Sequence, residues 1–334
     1  MATTTTTQVS PATQAYYDRK LLTRARPKLI ALDFGQTREL PAKNSATIKF
    51  RRYGAFPVAT TPLTEGTLPE STQLSITDIT ATVQPYGAYV KVTDVVELIV
   101  EDNVLNEATD LCSDQLADTV DTLAMTALAA GTNVFYANGV ADRASLASTV
   151  KATDFDKVIR ALRRNNASEF TDIIKAGTGV STTPIRPAYW CIVHPDVAAD
   201  IEKLDGFISV EKYANIGGIH SAEIGAYKNI RFVMTTQAPY VEASTNPLAS
   251  TFVPCEGDGL TTKARVYQCI ILAQNAYGII DITKGNVESM IKTPGPQSTE
   301  NALNQWSTVG WKTWFTTKIL NDAWMARIEC LASA

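Results

Sequence analysis

The chain has 334 residues, 45% of them hydrophobic and 19% charged, with a formal net charge of −4. That length can bury a large core divided into two lobes, and that composition excludes global disorder. The acidic balance has the wrong sign for a protein whose main work is gripping phosphates.

Met1-Ala2 and the five threonines that follow lack the basic start and apolar run of a secretory leader. No stretch approaches the roughly 20 apolar residues of a membrane span, so a soluble product is expected. Five cysteines (Cys112, Cys191, Cys255, Cys269 and Cys330) lie far apart with no CxxC spacing. They read as reduced and buried, as in a protein folded in a cytoplasm.

Residues 1–45 read as a basic arm: Tyr16, Tyr17, Leu21 and Leu22 are interleaved with Arg19, Lys20, Arg24, Arg26 and Lys28. It is either a solvated tether or a segment that orders on a neighbouring subunit. Ile48–Tyr53 alternates like a strand, and residues 58–72 carry Pro62, Gly66 and Pro69 with few large side chains. Flanked by strands, they predict the tip of a long hairpin. An isolated two-stranded ribbon is marginal in water, so it must find burial elsewhere.

From Thr72 to Val100 the Thr-rich alternation continues, with one break expected at Pro85-Tyr86-Gly87. The period then changes to that of a helix. Val104, Leu105, Ala108, Leu111, Cys112, Leu116, Val120, Leu123, Ala124, Ala127 and Leu128 recur at steps of three and four. The acids, among them Glu107, Asp110, Asp114, Asp118 and Asp121, are assigned to the other faces, and Gly131 follows as terminator. Such a helix would be roughly 40 Å long.

A second lobe is expected from about residue 152. Thr153-Asp154 caps a helix with Phe155, Val158, Ile159 and Leu162 on one face. Ala188–Val193 is a buried-type strand, and His194-Pro195-Asp196 opens another helix with proline near its first position. Further strands are expected at 231–234 and 266–272. After Asn304 come four of the five tryptophans, an ending apolar enough to close the core begun by the long helix.

Nothing in the chain amounts to a catalytic constellation. His194 and His220 have no Cys or His at metal-ligand spacing and read as structural. Gly177-Thr178-Gly179-Val180 lacks the Gly-Lys-Ser/Thr of a phosphate loop, and Glu256-Gly257-Asp258-Gly259 lacks the ligand spacing of a calcium loop. No residue is therefore assigned a catalytic, cofactor-binding or metal-binding role. An enzyme reading would be a soluble hydrolase with a spatially assembled site, starting from Cys191 and His194.

Several segments, in this order, resemble the major capsid proteins of tailed bacteriophages with the Hong Kong 97 fold, closest to the branch that includes the coat protein of coliphage N-four. They are Phe50–Tyr53, Leu63–Gly66, Tyr86–Asp94, Gly131–Val134, His194–Val197, Glu223–Gly225, Thr308–Trp314 and Ile319–Met325. The resemblance implies an α+β chain in five parts. These are an N-terminal arm (1–45), an extended hairpin loop (46–84), a peripheral domain with a spine helix at about 101–130 (85–151), an axial domain (152–298) and a return to the peripheral domain (299–334).

It also implies self-assembly through pentamers and hexamers into an icosahedral shell around double-stranded DNA, read without sequence specificity. Scaffold and portal proteins are implied as partners, with a decoration protein in some heads, and neither membrane nor cofactor. An encapsulin-like shell around cargo enzymes shares the fold and is the rival reading. No lysine or asparagine aligns with the cross-linking chemistry of some members.

Overall fold

The computed structural model describes residues 29–39, 47–54, 56–60, 62, 66, 71–94, 104–170, 187–213, 220–242, 251–255, 263–280, 287–292 and 305–334. Four strands come first: β1 (Gln36–Arg38), β2 (Thr47–Tyr53), β3 (Ile76–Thr82) and β4 (Gln84–Thr93). β2 and β3 pair antiparallel from Thr47↔Thr82 to Tyr53↔Ile76, the ribbon that the alternation predicts.

The break between β3 and β4 is not at Pro85-Tyr86-Gly87. The chain passes from one strand to the other through Val83 alone, and Pro85 and Gly87 lie inside β4. β4 is the edge of its sheet, where a proline without an N–H is tolerated. Gly87 answers a close approach, since a Cβ there would stand 2.6 Å from the Trp311 carbonyl oxygen. Val83 is itself buried, so the switch between sheets is pinned by packing.

The long helix follows at Val104–Ala129; residues 95–103, where the sequence pattern starts it, lie outside the described residues. Its buried arc runs through Ala108, Thr109, Cys112, Ser113, Leu116, Ala117, Val120, Asp121, Ala124, Met125 and Leu128. Two expectations fail here. Leu111 is 65% exposed, and Asp121 is buried. The arc is two positions wide and turned by one residue from the expected stripe. Leu111 therefore shares a face with Glu107, Asp114 and Asp118, while Asp121 falls between Ala117 and Ala124. Thr109 and Ser113 are tolerated inside because their hydroxyls donate to the carbonyls one turn back, at 2.8 and 3.0 Å.

After β5 (Val134–Tyr136) comes a middle helix at Ala152–Arg164 that buries Phe155, Val158, Ile159 and Leu162. Its cap is Lys151, not Thr153-Asp154. Asp154 sits at the third position and accepts from the Lys151 and Asn138 amides at 3.2 and 3.1 Å. β6 (Tyr189–Val193) leads through His194 into a short helix, Pro195–Glu202. The chain continues through β7 (Phe207–Ser209), β8 (Glu223–Tyr227), β9 (Ile230–Met234), β10 (Tyr240–Val241) and β11 (Val266–Leu272). β12 (Tyr277–Ile280), β13 (Val287–Lys292), β14 (Trp306–Phe315), β15 (Thr317–Ile319) and β16 (Met325–Cys330) complete it.

Among the described residues an eight-stranded sheet runs β5-β16-β11-β6-β9-β8-β7, with β10 also on β11. Three-stranded sheets run β1-β12-β15 and β13-β14-β4. The two faces of the large sheet enter different cores. Trp190, Ile192, Ile270 and Leu272 pack towards the long helix, and Tyr189, Cys191, Val193, Cys269 and Ile271 towards the middle and short helices. Double coverage explains why β6 reads as an unbroken apolar run and β11 as one broken only by the buried Gln268, which donates to Glu329 at 3.4 Å.

Val309, Trp311 and Phe315 of β14 close the long-helix core as expected, with the Trp311 indole donating to Gln115 Oε1 at 3.2 Å. The following strand does something else: β16 lies between β5 and β11. Leu29, Ile30, Ala31 and Phe34 are buried in the long-helix core, so this part of the basic stretch belongs to the body.

Candidate assembly surfaces

The residues that could begin an enzyme site are occupied with structure. Cys191 is buried on the large sheet beside Cys269, and burial pushes its thiol well above the usual range, the reverse of an activated nucleophile. All five cysteines are free and buried. His194 caps the short helix, its Nδ1 accepting from the Asp196 amide at 3.3 Å, with its ring between Tyr267 and Tyr240 at 5.0 and 5.7 Å. Burial lowers its pKa, which keeps Nδ1 available as an acceptor.

His220 accepts from the Ala222 amide through Nδ1 at 3.2 Å and meets Asp33 Oδ2 through Nε2 at 2.9 Å. The loops at 177–180 and 256–259 lie outside the described residues. Among the described residues no group of three or more His, Cys, Asp or Glu could hold a metal, and no helix is long and apolar enough to cross a membrane.

Sequence reasoning missed the buried charges that tie segments together. Arg231 of β9 donates through Nε to Glu223 Oε1 at 2.7 Å, and its guanidinium lies over Trp190 and Tyr213 at 5.1 and 5.4 Å. The Tyr213 hydroxyl donates to the same oxygen at 2.9 Å, and burial raises the Glu223 pKa despite both partners. Glu329 of β16 is fully buried and accepts two hydrogen bonds of 2.6 Å from Arg143. Only the unalternating position of such charges inside apolar strands could have signalled them. Arg231 and Glu223 are both buried, so removing either costs about 3–5 kcal/mol by leaving the other without its counter-ion.

The unusual surface is the hairpin. In β2 only Ile48 and Phe50 turn inward, meeting Ala81, Val83 and Ile280, with Trp314 and Leu320 at the margin. Phe50 lies flat on Gly278, where a Cβ would come within 2.5 Å of its ring. Past Phe50 the alternation in β2 stops, and the hairpin leaves the body. Tyr53, Phe56, Val58, Leu74 and Ile76 are all exposed, Val58 to 85%. The Arg51–Asp78 pair at 3.0 Å is exposed on the ribbon and adds little. A cleft of about 710 Å³ separates the ribbon from the body, lined by Phe50, Tyr53, Asn165, Asn275, Leu320 and Trp324 among others.

A second such surface is the outer face of the β13-β14-β4 sheet. Tyr89 (67% exposed) and Met290 flank Gly310, with Lys91 over Tyr89 and Trp306 at 5.9 and 5.3 Å. Exposed apolar groups on an extended ribbon and a flat sheet perform no chemistry. They offer area that a partner could cover, at about 1.5–3 kcal/mol for each large side chain fully covered.

No curated protein matches the sequence significantly. Solved structures with the same fold include the capsid of Ralstonia phage GP4, at 13% identity and a TM-score of 0.63, covering 87% of this chain and 85% of that one. The head of Helicobacter pylori bacteriophage KHP40 gives 11% and 0.59, over 89% and 87%. The capsid of cyanophage P-SCSP1u gives 12% and 0.57, over 90% and 88%. Identities this low establish the fold, an α+β capsid fold of the Hong Kong 97 type. The family described as phage capsid protein matches residues 76–327, well over half of the chain. The chain therefore belongs to the phage capsid protein family, as a non-enzymatic major capsid protein that forms the shell of a phage head.

Proposed function

We propose that this capsid protein builds an icosahedral shell of pentamers and hexamers around double-stranded DNA, assembled in the cytoplasm of the bacterial host. Scaffold and portal proteins are its partners during assembly, with a decoration protein where the head carries one. Within the family it is assigned to the branch of the coliphage N-four coat protein, on the ordered segments from Phe50 to Met325. Five buried free thiols support folding in a reducing compartment.

Residues 46–84 act as the extended loop over a neighbouring subunit, 85–151 as the peripheral domain and 152–298 as the axial domain. The closing segment 299–334 serves both: β14 lies with the long helix, and β16 joins the large sheet. The observation that carries this reading is the hairpin beyond Phe50, whose apolar side chains are exposed among the described residues. Many such contacts, each modest, hold a closed shell because losing one subunit requires breaking several at once.

Deleting residues 60–70 tests it. The subunit is expected to stay folded with an unchanged thermal midpoint, while electron microscopy finds no full-size particles. Full-size particles from the deletion would refute the role of the loop. Nuclease-protected duplex inside wild-type particles is the expected content, and cargo enzyme in its place would point to an encapsulin-like compartment.

A further inference from the structure

Residues 29–34 cross the buried face of the long helix as a strap. Leu29, Ile30, Ala31 and Phe34 fill the core, and Phe34 stacks on Trp190 at 4.9 Å. The backbone of the strap is held at two atoms. The Ala31 amide donates to Asp121 Oδ1 at 2.9 Å, and the Ala31 carbonyl accepts from the Tyr277 hydroxyl of β12. Asp33 adds a third tie, to His220 Nε2 at 2.9 Å, which is an ion pair when the imidazole is protonated.

Asp121 is an unusual clamp. It is 1% exposed, and its second oxygen is buried with no hydrogen-bond partner. The ionisable groups acting on it are Asp33 from the strap, Asp118 from its own helix and the Tyr277 phenol; none is a cation. A neutral carboxyl suits this place and an ionised one does not.

We propose that residues 29–34 form a pH-sensitive strap, locked onto the body while the Asp121 carboxyl is protonated and loosened when it ionises. Burial raises the Asp121 pKa from 3.8 to about 7, opposed by the Ala31 and Ile30 amides and reinforced by Asp33 and Asp118. The sign follows from linkage. The docked state holds a proton that the released, solvated carboxyl gives up at its ordinary value. Docking is therefore tightest at low pH and weakens as pH rises from about 4 to about 7, up to about tenfold per unit.

Hydrogen exchange of the Ala31 amide in the full chain, corrected for the intrinsic rate, reads the strap directly. Protection is expected to fall on the order of thirtyfold between about pH 5.5 and about pH 8. Asp121→Asn keeps an acceptor oxygen and cannot ionise, so its protection is expected to stay level across that range. His220→Gln removes the tie to Asp33 and is expected to keep the wild-type slope. A level wild-type profile, a slope that persists in Asp121→Asn, or a slope abolished by His220→Gln would each overturn the assignment. The wild-type and His220→Gln profiles decide the matter if Asp121→Asn does not fold.

Discussion

β11 and β2 are both seven-residue strands, and their surroundings are opposite. Every residue of β11 is buried, because helices cover both faces of the sheet in which it is central. β2 buries two residues and then runs out into solvent with its partner β3. The first strand holds the subunit together, whereas the second leaves its outer apolar side chains exposed, the surface proposed above to meet other copies. If that proposal holds, stability and assembly are carried by different parts of one chain, and substitutions should separate them.

The largest effect is expected in the long-helix core. Leu116→Asp puts an unpaired charge at a fully buried position, which costs several kcal/mol and should abolish folding. Soluble expression and the thermal midpoint report it; a soluble variant melting like the wild type would remove this helix from the stabilising side of the comparison. Gly278→Ala should be intermediate. The new methyl group meets the Phe50 ring and should loosen the foot of the hairpin by about 1–3 kcal/mol. Hydrogen exchange should rise at 47–53 and stay level at 266–272; equal loosening of both would show that the two regions are not separable. The smallest effect belongs to Leu111→Ser, expected within about 0.5 kcal/mol of wild-type subunit stability because the side chain faces solvent. A loss above about 1 kcal/mol would return Leu111 to the core.

Much of this was legible from local pattern. Double coverage wrote β6 and β11 as apolar runs, and the period of 3.6 gave the long helix. Where pattern failed, the cause was pairing with residues far away in sequence. The Pro85-Tyr86-Gly87 step looks like a turn until Trp311 and Lys312 are seen lying beside Gly87. The helical stripe is turned by one position, which exchanges Leu111 and Asp121, because Thr109 and Ser113 join the buried face with their hydroxyls bonded to carbonyls one turn back. The assembly surfaces left a weaker trace: large side chains such as Tyr53, Phe56 and Val58 on a ribbon with too few partners to cover them. The buried ties through Arg231 and Glu329 left almost none, since a lone charge in a strand reads the same whether paired inside or wetted outside.

β14 and β16 have a consequence for how this protein is made. Both cores wait for strands encoded after residue 305, one lying under the long helix and one threaded between β5 and β11. A nascent chain lacking that stretch leaves the long helix short of part of its cover and β5 detached from the large sheet. A chain cut short before β14 is therefore expected to leave both cores incomplete.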